Sequence, residues 1–260
     1  MRGKRAGMNL REQFERDGYA VARDVFSRPE VAELESAFDQ IVAQLMASGE
    51  EINARWGGDS MDALGATGTV VIHTHNVQYY SSVWARALLH TAFVAAATEV
   101  GGDDLVLHHT KLFQKPAEKG APFPMHQDWS YFPSRNDSMF AAIIHVSAAT
   151  DAMGCLRVVP GTHRLGRLDE SSGAALAMAE RFPLENAQPL EAGPGDVVFF
   201  HYLTVHGSRP NTSDQVRKTV LVQMHAGDDE LENPAGHPYD RWVLAGQNQR
   251  MSRSAANTNG

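Results

Sequence analysis

Between residues 105 and 225 the chain breaks into short, β-rich runs, and this pattern limits the fold more than any other feature. The runs are LVLHHTKLFQ (105–114), PMHQDWSYF (124–132), MFAAIIHVSA (139–148), CLRVVP (155–160), DVVFFHYL (196–203) and VRKTVLVQMH (216–225). Their Val, Ile, Phe and Tyr suit a pleated, half-buried surface, and Gly, Pro and Asn/Asp turns separate most of them. One helical-looking insert, about 171–181, interrupts the series. Strands do not alternate with helices here, which argues against a Rossmann or TIM arrangement.

Helical signals come earlier in the chain. Tyr19 to Phe26 alternates as a strand, and Ser27-Arg28-Pro29-Glu30 then carries the spacing of a capping box with an early proline. Val31, Leu34, Phe38, Ile41 and Leu45 recur at helical spacing, with Gly49 as the stop. A second helical stretch is predicted from about Ser82 to Val100, ended by Gly101-Gly102. Six or more strands behind two helices predict a mainly β protein, a sandwich or barrel with helices on one face.

The chain has 260 residues, 43% of them hydrophobic, enough for one large core. It shows no repeat and no Ser/Gly linker, so residues 1–246 read as one domain and 247–260 as a polar, frayed tail. The net charge is 23 − 31 = −8 with no basic run, which argues against a nucleic-acid partner. The mean hydropathy is −0.33 and no apolar run approaches about 18 residues, which excludes a membrane span. The basic start MRGKRAG is followed by polar NLREQFERD, not by the apolar stretch of a secretory signal, so a cytoplasmic protein is expected. One cysteine, Cys155, excludes an internal disulfide framework and a Cys-rich zinc site, and it reads as buried and inert.

The chemistry centres on His126-Gln127-Asp128. Residues i and i+2 of a strand share a face, so His126 and Asp128 can meet one metal ion. Alone, the pair reads first as a surface His and Asp. Further along, Gly195-Asp196 opens the run VVFFH, which leads to Tyr202-Leu203-Thr204-Val205-His206-Gly207-Ser208, and Arg217 lies eleven residues past His206. Two histidines and one carboxylate make the facial triad of a non-haem iron site, with positions left over for a keto acid and dioxygen. The far carboxylate of such a keto acid needs a cation, and Arg suits it because its planar fork stays charged when buried. His201 is the rival for the distal ligand. Gly207-Ser208 and the Arg217 spacing favour His206.

The blocks HQDWSYFP (126–133), GCLRVVPGTHR (154–164) and GDVVFFHYLTVHGS (195–208), with Arg217, resemble the phytanoyl-CoA dioxygenase family of iron(II)/2-oxoglutarate oxygenases. The opening FERDGYAVARDVFSRPEVAEL (14–34) is similar to the strand–helix pair of that family, and the resemblance spans roughly residues 10 to 226. It implies a double-stranded β-helix (jelly-roll) core with flanking N-terminal helices. It implies Fe(II) held by His126, Asp128 and His206, and 2-oxoglutarate gripped by Arg217 and lined by Gln127, Ser208 and Lys111. A Trp that the family often carries on the strand after the metal motif falls here on Ile143 or Ile144. Trp129, Tyr131 and His108 are expected at the substrate pocket, while His145 reads as a core histidine and His163 as a loop cap.

The activity implied is a dioxygenase that consumes O2 and hydroxylates an unactivated C–H bond of a small hydrophobic molecule, of the bacterial secondary-metabolite tailoring type. Desaturation, epimerisation or oxidative cyclisation at the same centre, and acyl-CoA hydroxylation, are the alternatives within this chemistry. A non-catalytic jelly-roll binding protein is the alternative outside it. No nucleic-acid or membrane partner is expected, and the protein is expected as a monomer or homodimer.

Overall fold

The computed structural model describes residues 9–52, 71–168, 174–233 and 239–257. The basic start MRGKRAG, the first residues of the 171–181 insert and the last three of the tail lie outside the described residues.

Chain order opens with α1 (Leu10–Asp17), β1 (Tyr19–Ala22) and α2 (Arg28–Ser48). The Ser27–Glu30 capping box is formed at the start of α2, and Gly49 ends the helix at φ 72, a conformation that glycine adopts without strain. Next come β2 (Ile72–His75), α3 (Ser82–Leu88) and α4 (Thr91–Gly101). The single helix predicted over 82–100 is therefore two. His90 adopts an extended N-cap conformation, and its Nε2 lies 3.1 Å from Glu30 on α2. That tertiary contact outweighs the local helical periodicity.

The strands that follow are β3 (Leu105–Lys115), β4 (Phe123–His126), β5 (Phe140–His145) and β6 (Leu156–Val158). After α5 (Ala174–Arg181) come β7 (Gln188–Leu190), β8 (Val197–His201), β9 (His206–Ser208), β10 (Arg217–Ala226), β11 (Val243–Ala245) and α6 (Arg253–Asn257). They form two antiparallel sheets. The larger runs β1-β8-β5-β10-β3-β11, with β2 also paired to β3, and the smaller runs β4-β9-β6-β7.

Alternation along the strands sorts side chains between two cores. On the outer face of the large sheet, Leu112, Ile144, Phe199, Val220, Val222 and Met224 pack with Phe38, Ile41, Trp84 and Phe93 of the helices. On the inner face, Ala141, Val198 and Phe200 meet Val158 and Leu190 of the small sheet. The two sheets thus sandwich an interior, and helices cover the large sheet from outside, as expected for the jelly roll.

The start of the tail is tied down: the Gln247 amide and the Gln249 side chain both donate to Asp104, and Arg250 donates to the Asp228 carbonyl. Among the described residues no helix is long and apolar enough to cross a membrane.

Candidate metal centre

The triad assembles on the small sheet. β4 and β9 pair antiparallel with His126 directly opposite His206, and the two rings lie 4.2 Å apart. Gly207 permits this approach, because a Cβ there would lie 2.8 Å from the Phe123 carbonyl oxygen and 2.9 Å from Met125 Sδ. Asp128 follows β4 and is anchored by its backbone N–H donating to the Tyr202 carbonyl. Its Oδ1 lies 3.3 Å from His126 Nε2 and 3.6 Å from His206 Nε2. One ligand atom from each of the three residues falls within 4.8 Å of the others, close enough to hold one metal ion.

The donor set suits a metal. His126 Nδ1 donates to the Pro124 carbonyl at 2.8 Å and His206 Nδ1 to that of Thr204 at 2.9 Å, which fixes the tautomer and leaves each Nε2 lone pair facing Asp128. Burial, aided by His126, pushes His206 down to about 4, so its imidazole is neutral at neutral pH. Burial raises the Asp128 carboxyl, but His206, His126 and Lys111 together outweigh it and hold the group below its ordinary value. Neutral imidazoles and a carboxylate are the ligating forms.

A cavity runs from this triad to Arg217, walled by Phe113, Phe123, Ile143, Leu156, Phe200 and Leu221. Arg217 is buried and donates one N–H to the Gly154 carbonyl, while its Nε has no hydrogen-bond partner. No carboxylate pairs with it among the described residues, and burial pushes it down to about 10. Beside it in the ladder stands Lys115, also buried, whose Nζ donates to Ser208 Oγ at 2.6 Å and to the Arg209 carbonyl at 2.8 Å. Burial and then the Arg217 charge push Lys115 well below its ordinary value. Among the described residues no acid neutralises the buried Arg217 guanidinium, which makes the far end of the cavity a receptor for an anion.

The expected residues divide. His126, Asp128, His206, Ser208 and Arg217 all line this one cavity. Ile143 lines it too, whereas Ile144 belongs to the helix-side core. His145, expected in the core, instead lines the cavity, held down to about 4 by burial and then by Arg217. Gln127 turns away: its Nε2 donates to the Gly166 and Leu203 carbonyls and its Oε1 accepts from the Leu168 N–H, so its side chain ties loops together. Lys111 sits opposite Leu221, four residues up the strand from the Lys115–Arg217 pair, and interacts electrostatically with Asp128.

His201 lies at the end of β8 in the large sheet, with Phe14 and His163 beside it, and takes no part in the triad. His163 Nε2 bonds the Glu15 carbonyl, and Cys155 is buried, its thiol pushed up to about 11 by burial.

Lys115 is the functional candidate that strand reading missed. Its signal was available in its same-face spacing with Lys111 and its position at the strand end before Pro116. Tyr131 is 46% exposed with its ring 6.5 Å from that of His126, which puts it at the mouth of the site. Trp129 instead packs near Phe132 and Tyr202, with the Arg167 guanidinium 5.3 Å over its ring.

The position of His108 follows from a β-bulge. His109 pairs with Gln223 and Leu107 with Met224, so His108 is an extra residue in β3. The bulge brings both imidazoles to one side: their Nδ1 atoms are hydrogen-bonded at 2.6 Å, and the rings lie 5.0 and 5.5 Å from Phe132.

The sequence profile described as "Phytanoyl-CoA dioxygenase (PhyH)" matches residues 14–219. A probable phytanoyl-CoA dioxygenase of Caenorhabditis elegans is 36% identical over 49% of this chain and 44% of that protein, so the chain spans about half of that relative's length. The ectoine dioxygenase of Sphingopyxis alaskensis is 27% identical over 89% of this chain and 80% of its own. Among solved structures, the epimerase SnoN in complex with Fe3+, alpha ketoglutarate and nogalamycin RO superposes with a TM-score of 0.68, at 22% identity over 92% of this chain and 95% of that one. The last likeness is one of fold, and it supports the jelly-roll assignment. With a profile match that contains the HxD block, the distal histidine and Arg217, the chain belongs to the phytanoyl-CoA dioxygenase family.

Proposed function

We propose that the chain is an iron(II)- and 2-oxoglutarate-dependent dioxygenase whose default reaction is hydroxylation of an unactivated C–H bond. One observation carries this reading: the His126–Asp128–His206 donor set, with Asp128 and His206 buried, opens into the same cavity as a buried Arg217 that has no carboxylate partner among the described residues. A buried cation left alone is costly, so the cavity is complementary to an acid, and a keto acid spanning from metal to Arg217 meets that need.

His126, Asp128 and His206 would hold the iron, which when bound supplies the redox chemistry that couples decarboxylation of 2-oxoglutarate to succinate with oxidation of the substrate. Arg217 grips the distal carboxylate, and Lys115 fixes the Ser208 hydroxyl. Phe113, Phe123, Ile143, Leu156 and Phe200 keep water from the cavity and so strengthen those charge contacts. Asp128 fills the ligand position where a halide could otherwise bind, so oxygen insertion is favoured over halogen transfer. A purified protein supplied with Fe(II), O2 and 2-oxoglutarate labelled at C1 should release labelled CO2 and succinate together, and removal of either Fe(II) or O2 should stop both. A binding protein would release neither. With a turned-over substrate, 18O2 and chloride, the product should gain one 18O atom and no chlorine.

A further inference from the structure

We infer that His145 holds the distal carboxylate of 2-oxoglutarate together with Arg217, and that its Nε2 takes a proton from solvent as the cosubstrate binds. The inference rests on the oxygenase reading above and adds to it one residue and one proton. It starts from register. His145 stands opposite Thr219 in the β5–β10 ladder, and Arg217 lies two residues from Thr219 on the same face of β10. All three line the cavity, so the imidazole belongs to the wall of the end that Arg217 closes. The ring is anchored by backbone. Its Nδ1 lies 3.3 Å from the Asp196 carbonyl, and the Ile143 carbonyl also accepts from the ring. A neutral imidazole has one N–H, and the Asp196 carbonyl claims it on Nδ1. The edge left for the cavity then carries the lone pair of Nε2.

Few charges face this ring. Arg217 is the one on β10. Asp196, just before β8, has its carboxylate held by Arg23 at 2.6 Å, the Gly193 N–H at 2.8 Å and the Asp24 N–H at 3.0 Å, so the ring meets its carbonyl. The small sheet and the residues after β4 bring only the triad's titratable groups to the cavity. Lys115, beside Arg217 in the ladder, donates to Ser208 and to the Arg209 carbonyl. Burial and then the Arg217 charge hold His145 neutral, down to about 4. A carboxylate seated on Arg217 reverses the second cause. It cancels the guanidinium charge, and its oxygens repel a lone pair on Nε2 but accept from an Nε2–H. Shifting the single proton to Nε2 would instead turn a lone pair towards the Asp196 carbonyl. An imidazolium donates from both nitrogens and satisfies the carbonyl and the carboxylate together. The proton comes from solvent, and no other bond is made or broken. The sign follows: the ring binds its proton more tightly in the complex, so 2-oxoglutarate binds best at low pH and more weakly as pH rises.

The test uses the full chain loaded anaerobically with Fe(II). Calorimetry in two buffers of different ionisation enthalpy counts the protons taken up with 2-oxoglutarate. The visible absorption of the iron–keto acid chelate gives the affinity from about pH 6 to about pH 8.5. Binding should take up protons, at most one, and weaken as pH rises by no more than about tenfold per pH unit. 2-Oxopentanoate, which keeps the chelating end but lacks the distal carboxylate, should bind without uptake, and this separates His145 from events at the metal. His145→Gln keeps an N–H for the carboxylate and cannot titrate, so it should bind 2-oxoglutarate without uptake and with a flat pH profile. His145→Leu should bind about tenfold or more weakly at the acid end and close to the parent at the alkaline end. Lys115→Met should keep the uptake. Equal uptake with both keto acids, or uptake that survives His145→Gln, overturns the inference and leaves the oxygenase reading standing. Uptake lost only in Lys115→Met overturns it too, by moving the proton to the lysine. If the unmodified protein shows neither heat nor band with 2-oxoglutarate, the oxygenase reading falls and the inference falls with it.

Discussion

Arg217 and Lys218 are neighbours on β10, and they meet opposite fates. Lys218 faces the helices and is neutralised twice, with Nζ 2.9 Å from Glu35 and 2.7 Å from Asp39 on α2. Arg217 faces the interior and, among the described residues, is met by one carbonyl and no acid. The same contrast runs along the strand: Val220, Val222 and Met224 pack into the helix-side core, while Thr219 lines the cavity and Gln223 carries an unpartnered amide. One face of the sheet closes its polar groups on the protein itself, and the other leaves them open for something bound. Open polarity in a buried place is what separates the site from the scaffold here.

The largest expected effect breaks the interior side of this contrast. His126→Ala, Asp128→Ala and His206→Ala should each abolish turnover, because two remaining ligands hold iron poorly. Circular dichroism should show the fold kept. Activity surviving His206→Ala but lost in His201→Ala would mean that the distal ligand is misassigned. Next, Arg217→Ala should raise the KM for 2-oxoglutarate, since losing a desolvated charge-assisted pair costs about 2–5 kcal/mol. At about 1.4 kcal/mol per decade that is roughly 30-fold to several thousand-fold in steady-state kinetics. An unchanged KM would hand the grip to Lys115.

A smaller effect concerns acid. Burial pushes His201 from its ordinary value of 6.5 down to about 4. Above about pH 6.5 it is neutral both folded and unfolded and adds no pH dependence. As pH falls from 6.5 towards 4, only the unfolded chain takes up the proton, so stability drops. His201→Asn keeps an acceptor for the Leu203 N–H and does not titrate, so urea unfolding of this variant should lose less stability between neutral pH and pH 5 than the parent does. An equal loss would contradict the assignment. The smallest effect breaks the outer side: Lys218→Met should cost at most about 1 kcal/mol in thermal or urea unfolding, because its partners are half exposed, and leave the KM for 2-oxoglutarate unchanged.

What the sequence disclosed depended on how local each feature is. The triad and Arg217 were legible because strand period 2 and a short histidine-to-arginine spacing are local. The same period explains Gln127: it lies between two ligands that share a face, so it must point away, and its three hydrogen bonds to loop backbone follow. Gln223 was illegible because its meaning comes from the β3–β10 register, a long-range pairing, and Lys115 offered only its same-face spacing with Lys111 and its place at the strand end. His108 required the bulge, and the break at His90 required Glu30 on another helix. His201 and His206, five residues apart, separate because the chain crosses from the large sheet to the small one between them.

The central claim is that the triad and the unpaired guanidinium form one site. Its most direct measurement is an anaerobic titration of the Fe(II)-loaded protein with 2-oxoglutarate, followed by the weak visible absorption of the iron–keto acid chelate. The unmodified protein should develop the band and saturate. Arg217→Ala should develop the same band only at much higher 2-oxoglutarate, and His206→Ala should not develop it. A band absent from the unmodified protein, or one that saturates at the same concentration in Arg217→Ala, would contradict the account.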